Sequence, residues 1–202
     1  MKLICIGNSI VNGFPFSRTD SFPAGIARQT GWEVLNRGIN GQSTAEILAR
    51  FDRDVLAEKP QRMLLLTGAN DFMFEICGPE AAMENIRKML ERARAAGIIA
   101  TAVTPLLTDP ELAAERWMPE LHIDYHGVNK QLRRLAELIR TYCRRSGCHC
   151  ADAQQAYRDC AEYVDGVHPT AAGYRFLASF FSAQLLADAE KAAHRKAAPT
   201  GE

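Results

Sequence analysis

The sequence carries no excess charge of either sign. Its 24 Lys and Arg residues are matched by 24 Asp and Glu, which gives no overall attraction toward nucleic acid, an anionic membrane or a polyanionic substrate. No run approaches the ~18 apolar residues of a membrane-spanning helix. A charged leader followed by an apolar segment and a small-residue cleavage site is also missing, so cytoplasmic residence is expected. Internal repeats and a Pro-, Gly- or Ser-rich linker are lacking. The 202 residues therefore read as one domain over residues 1–188, with a frayed tail over 189–202 that has too little apolar surface to pack. The first apolar run is not followed by a glycine-rich phosphate cradle, which argues against a nucleotide binder.

Cysteine, by contrast, is present six times, at 5, 77, 143, 148, 150 and 160. In a reducing compartment these read as free, mostly buried thiols. Cys148-His149-Cys150, with Cys143 nearby, has the look of a metal site. A strand over 148–151 would turn both cysteines one way and His149 the other, so no zinc is expected there.

An apolar content of 47% is enough for a substantial core. Strand-like runs at 2–7, 33–36, 63–67, 98–103 and 148–151 alternate with helical stretches at 24–29, 44–57, 80–96, 125–145 and 170–187. Met63-Leu64-Leu65-Leu66-Thr67 is apolar without alternation, as a central parallel strand covered on both faces requires. Alternation along the whole chain predicts an α/β domain: a doubly wound sheet of about five parallel strands, for which 2-1-3-4-5 is a common order. Residues 106–121, with Pro110, Trp117 and Pro119, break the rhythm as a lid, a substrate-contact element or a plain surface excursion.

Four turns point at the carboxyl-end rim of such a sheet, where open α/β folds bind ligands. Ser9 follows the first strand in Gly7-Asn8-Ser9-Ile10, Gly41 follows the second, Asn70 follows the third in Gly68-Ala69-Asn70-Asp71, and Asp165-Gly166-Val167-His168-Pro169 precedes the last helix. Acyl transfer to a serine needs a nucleophile, a base, a group that orients the base, and donors for the oxyanion. Ser9, His168 and Asp165 can fill the first three roles. The Asn70 amide and a Gly41 N–H that no Cβ shields can supply donors. Alone, each has a plainer reading: a helix-capping Ser9, turn residues at 41 and 70, a solvated or metal-binding Asp165–His168 pair. Their ordered appearance is what a turn-residue account does not explain. Pro169 is expected in the first helical turn, with His168 extended just before it.

These four blocks, in this order and spacing from residue 1 to about 185, resemble those of the SGNH hydrolases, also called GDSL-type esterases or lipases. The resemblance implies a three-layer α/β/α, flavodoxin-like fold and hydrolysis of carboxylic esters or thioesters with no metal or cofactor. It implies Ser9 as nucleophile, His168 as base, Asp165 as its orienter, and the Ser9 and Gly41 amides with the Asn70 side chain as oxyanion hole. One departure stands out. The family usually has Asp before the serine, and this chain has Asn8, which can hydrogen-bond but supplies no charge.

The expected substrate is a small-molecule ester or thioester with a small to medium acyl group. The alternatives are an O-deacetylase of a carbohydrate or small polyol, and a binding module with a decayed site. Phe14, Phe16, Phe72, Met73 and Phe74 flank the turns and are candidates for an acyl pocket or, equally, for core packing.

Overall fold

The computed structural model describes residues 1–197, with side chains through Lys191. Among these, five strands form one parallel sheet: β1 (Lys2–Gly7), β2 (Glu33–Gly38), β3 (Arg62–Leu66), β4 (Ile99–Val103) and β5 (His149–Ala151). Their order is β2-β1-β3-β4-β5. The sequence expectation of a three-layer α/β/α fold in this order holds.

The central strands β1, β3 and β4 need apolar runs because they are covered on both faces, whereas the edge strands β2 and β5 are only partly buried. Ile4, Ile6, Met63 and Leu65 pack into one layer with Ile47, Ile86, Leu132 and Leu135, carried by α3 (Thr44–Ala49), α5 (Pro79–Ala95) and α7 (Tyr125–Ser146). Their neighbours Leu3, Cys5, Leu64 and Leu66 point the other way, onto Phe22, Ile26, Leu177 and Phe181 of α2 (Phe22–Thr30) and α9 (Ala171–Ala197). Burying each such side chain contributes about 1.5–3 kcal/mol, so the two faces together outweigh any local propensity. Gly31 and Gly147 end α2 and α7 in the left-handed conformation that glycine tolerates.

Several boundaries differ from the sequence expectation. α1 (Ser9–Asn12) and α4 (Ala69–Met73) stand where only turns are legible, and α6 (Pro110–Arg116) occupies the 106–121 excursion. At four to seven residues they are too short to display a helical period. The helix expected over 44–57 divides after Ala49 and widens into a π turn over Asp52–Leu56, next to buried Arg50. α8 (Ala153–Tyr157) follows β5.

Pro169 does not enter α9. It pairs with Tyr163 in an isolated antiparallel bridge, and Thr170 precedes the last helix, its hydroxyl accepting from the Gly173 N–H. α9 runs to Ala197 rather than stopping at 187, so the frayed tail expected from 189 is helical as far as the structure describes it. Ala, Lys, Glu and Arg are strong helix formers and extend the helix without needing an apolar face. Residues 198–202 of that expected tail lie outside the described residues. Among the described residues no helix is long and apolar enough to cross a membrane.

Candidate active site

The site is assembled where β1, β2 and β3 end. β1 can close against β3 only because residue 7 is glycine: a Cβ there would sit 2.0 Å from the Leu66 carbonyl oxygen. The chain then turns through Asn8 into Ser9, the first residue of α1. The Ser9 carbonyl accepts from both Gly13 N (2.9 Å) and Phe14 N (3.1 Å), which fixes the turn from behind the side chain. Asn8 is 3% exposed. Its side chain makes no capping bond to α1, and its carbonyl accepts from Asn12 N at 2.9 Å.

The second component is a short loop before α9. Val164 N donates to His168 O at 2.9 Å and Thr170 N donates to Glu162 O at 3.0 Å, so the chain folds back tightly enough for Asp165 to face the His168 ring. Asp165 Oδ2 lies 2.8 Å from His168 Nδ1, and His168 Nε2 lies 2.9 Å from Ser9 Oγ. With the ring proton on Nδ1, Asp165 accepts from the ring and Nε2 is left to accept from the Ser9 hydroxyl. Asp165 Oδ1 takes two more donors, Val167 N (3.0 Å) and His168 N (2.8 Å). Burial alone would raise the Asp165 carboxyl. The hydrogen bond and charge of His168, with the two backbone donors, outweigh it and hold the carboxyl below its ordinary value.

Two aromatic rings enclose this pair. Phe14 meets His168 edge-on at 4.7 Å between centroids, and Trp117 does so at 4.6 Å. Tyr174 Oη donates to the Phe14 carbonyl at 2.7 Å, and Tyr125 Oη donates to the Trp117 carbonyl at 2.7 Å, so both rings sit on anchored backbone. His168 is left 1% exposed and Ser9 9% exposed. Of the five candidate pocket residues, Phe14 therefore meets the relay. Phe16 turns to Tyr174 instead (6.1 Å). Phe72 and Met73 follow the core-packing alternative: the turn at Asn70 is helical, and these side chains lie in the core. Their outer edges, with half-exposed Phe74, also border a cleft of about 480 Å³ whose far side carries Leu121, Asp124 and Gln131.

Asn70, after β3, is tied to the loop that carries Gly41, after β2, through Gln42. Gly41 has φ +78°, and its surroundings are open, so glycine is required here by the backbone and not by crowding. Asn70, the second residue of α4, donates from Nδ2 to Gln42 O at 2.9 Å, which holds it against the Gly41 loop. The loop is held at further points. Asn12 Nδ2 donates to Asn40 Oδ1 (2.8 Å), and Ser43 and Glu46 close a capping box at the start of α3. Arg50 reaches both segments, donating to Gln42 Oε1 (2.6 Å) and to Gly7 O (2.9 Å).

Trp117, Arg50 and Asp71 are the residues that single-residue reading misses. Trp117 left one signal, as a tryptophan in a segment of mixed polarity. The other two left none, because the contacts that tie them to the site, Asp71 to Thr44 and Arg50 to Gly7, span 27 and 43 residues. Among the described residues no group of three His, Cys, Asp or Glu side chains is arranged to hold a metal. Cys148 and Cys150 face the α5–α7 layer with Cys143, while His149 turns to the opposite face and pairs with Asp188 at 2.7 Å.

A family model for GDSL-like lipase and acylhydrolase proteins matches residues 5–176. The chain belongs to this family. It is an enzyme of the GDSL esterase or acylhydrolase class. An acetylxylan esterase of Geobacillus stearothermophilus is 22% identical over 167 residues, 78% of this chain and 74% of the relative. A lipolytic protein of the G-D-S-L family from Desulfitobacterium hafniense superposes with a TM-score of 0.73 at 25% identity, over 90% of this chain and 98% of that one. The lipase/acylhydrolase from Enterococcus faecalis shares the fold with a TM-score of 0.76 at 20% identity, over 91% and 94% of the two chains.

Proposed function

We propose that this GDSL-family enzyme hydrolyses small to medium acyl esters or thioesters through an acyl-enzyme on Ser9. The observation that carries the reading is the unbroken relay Asp165–His168–Ser9, with contacts of 2.8 and 2.9 Å. His168 Nε2 takes the Ser9 proton as Oγ attacks the acyl carbon. Asp165 stabilises the imidazolium, and the oxyanion meets the Ser9 and Gly41 N–H groups and the free amide hydrogen of Asn70. The proton then passes to the leaving alcohol or thiol. Water, activated by the same histidine, releases the acid. The 480 Å³ cleft beside α4 is the proposed seat of the substrate's larger portion.

Ser9→Ala is expected to abolish p-nitrophenyl acetate turnover and labelling by a fluorophosphonate probe. Full activity in that variant would sink the assignment. O-deacetylation of a carbohydrate or small polyol is the second reading. It is favoured by the match to an acetylxylan esterase and by the polar side chains Glu75, His122, Asp124 and Gln131 along the cleft. Acetylated sugars run beside acyl esters of increasing chain length and acyl-CoA separate the two. A binding module with a decayed site predicts neither turnover nor labelling, and the intact relay weighs against it.

A further inference from the structure

Beneath the Gly41 loop lies a carboxylate that the hydrolytic scheme does not use. Asp71 is wholly buried. Its two oxygens accept from Thr44 N at 3.1 and 3.0 Å, and Oδ1 also accepts from Thr44 Oγ1 (2.6 Å) and Cys77 Sγ (3.3 Å). No Lys, Arg or His among the described residues pairs with it; all four contacts are with neutral donors. A carboxylate removed from water without a counter-charge is costly, and this one is held by hydrogen bonds alone.

Its place in the chain explains what those bonds join. Asp71 immediately follows Asn70, and Thr44 lies three residues after Gly41. One buried side chain thus ties together the two segments that carry the proposed oxyanion donors. Asn85 Nδ2 donates to Thr44 Oγ1 at 3.0 Å and anchors the junction to α5. Asn70 spends one amide hydrogen on Gln42 O, so the other is free only in the direction that α4 sets. We infer that Asp71 is a positioning residue: it fixes the Asn70 amide and the Gly41 N–H relative to each other before substrate arrives. This inference rests on the hydrolase reading above.

Asp71→Asn keeps the volume and replaces one acceptor with an NH₂ that must face a donor from Thr44 or Cys77. The junction then relaxes, and the two donors lose their register. Removing one oxyanion donor outright costs about 10²–10³ in kcat; displacing two of them partly is expected to cost about ten- to hundredfold. The loss should fall on kcat, with KM for p-nitrophenyl acetate unchanged within about twofold, because the oxyanion forms only in the transition state. Affinity for a boronic acid, which forms a tetrahedral adduct on Ser9, should fall by a similar factor. In an Asn70→Ala background the same change should cost several-fold less than in wild type, since one of the two donors it positions is gone.

Unchanged kcat, a loss carried wholly by KM, or an equal loss in the Asn70→Ala background would overturn the inference. Thr44→Val, which removes the 2.6 Å bond and leaves the backbone contact, is the second arm should Asp71→Asn not fold. It is expected to lower kcat about three- to tenfold, and an unchanged kcat refutes the positioning role. Ser9→Ala keeps the two readings apart. If that variant retains activity, the hydrolase mechanism fails whatever Asp71 does. If it is inactive while Asp71→Asn is fully active, only the positioning role fails.

Discussion

Asp165→Asn isolates the charge in the relay from its shape. The carboxylate accepts three hydrogen bonds, from the His168 ring and from the backbone N–H groups of Val167 and His168. An asparagine has one carbonyl oxygen to share among them. Facing that oxygen to the two backbone donors preserves two bonds and sacrifices one, so this orientation wins. The NH₂ then points at Nδ1, which must give up its proton to accept. The ring proton moves to Nε2, where it faces Ser9 Oγ at 2.9 Å and blocks the proton transfer that nucleophilic attack needs. Enforcing the wrong tautomer in this way costs on the order of 10⁴-fold in serine hydrolysis, or about 5.5 kcal/mol of transition-state stabilisation.

Stability moves in the same variant, with a definite sign. The folded-state pKa of Asp165 is held below its ordinary value. Its contribution is therefore present above the unfolded value of about 3.9 and lost as pH falls through the lower folded value. Wild type should exceed Asp165→Asn in urea unfolding at pH 7 by about 1.5–3 kcal/mol, the worth of one hydrogen bond to a charged group, and the gap should close below pH 4. The assay is kcat/KM on p-nitrophenyl acetate from pH 5 to 9, beside the unfolding curves. Retention of more than about a tenth of wild-type kcat/KM would refute the tautomer argument.

Two further changes probe the ring enclosure and the loop. Gly41→Ala meets no neighbour within 4 Å but must hold φ +78°. It is expected to cost about 1 kcal/mol in stability and to lower kcat as the N–H swings away; equal stability and kcat would show that the left-handed turn is not needed. Trp117→Ala removes an edge contact to His168 of the kind worth about 0.5–1.5 kcal/mol, and kcat/KM should fall up to about tenfold. Trp117→Phe should keep most of the rate, and equal loss in both variants would count against ring packing as the cause.

The sheet was legible because covering both faces of its central strands demands continuous apolar runs. Ile4 and Ile6 serve one layer while Leu3 and Cys5 serve the other, and no other arrangement of those residues needs so little polarity. The long helices were legible for the complementary reason, that α5 and α7 bury one stripe each at helical spacing. What escaped was short, or helical without an apolar stripe in its sequence. α1 and α4 contain barely one turn, so no period exists to be read. The far end of α9 is helical by propensity without an apolar face, which a pattern search for buried stripes cannot register.

The site divides along the same line. Ser9, Gly41, Asn70, Asp165 and His168 stand out because each occupies the end of a strand or the approach to a helix, a place that sequence order alone identifies. Trp117, Arg50 and Asp71 act through partners distant in sequence, and only folding brings those together. Asn8 shows why that second group matters. At 3% exposure it has no capping bond to offer α1, so the turn before Ser9 is not held by the side chain at position 8. It is held by the Asn12 and Gly13 amides on the carbonyls of Asn8 and Ser9, and by the Arg50 guanidinium on the carbonyl of Gly7. A neutral residue can therefore occupy position 8 without loosening the turn, because the cation that steadies it comes from α3's end. The same Arg50 grips Gln42, whose carbonyl steadies Asn70. The serine turn and the loop of proposed oxyanion donors are thereby referred to one guanidinium, which makes the geometry between them a property of the fold and not of the residue beside the serine.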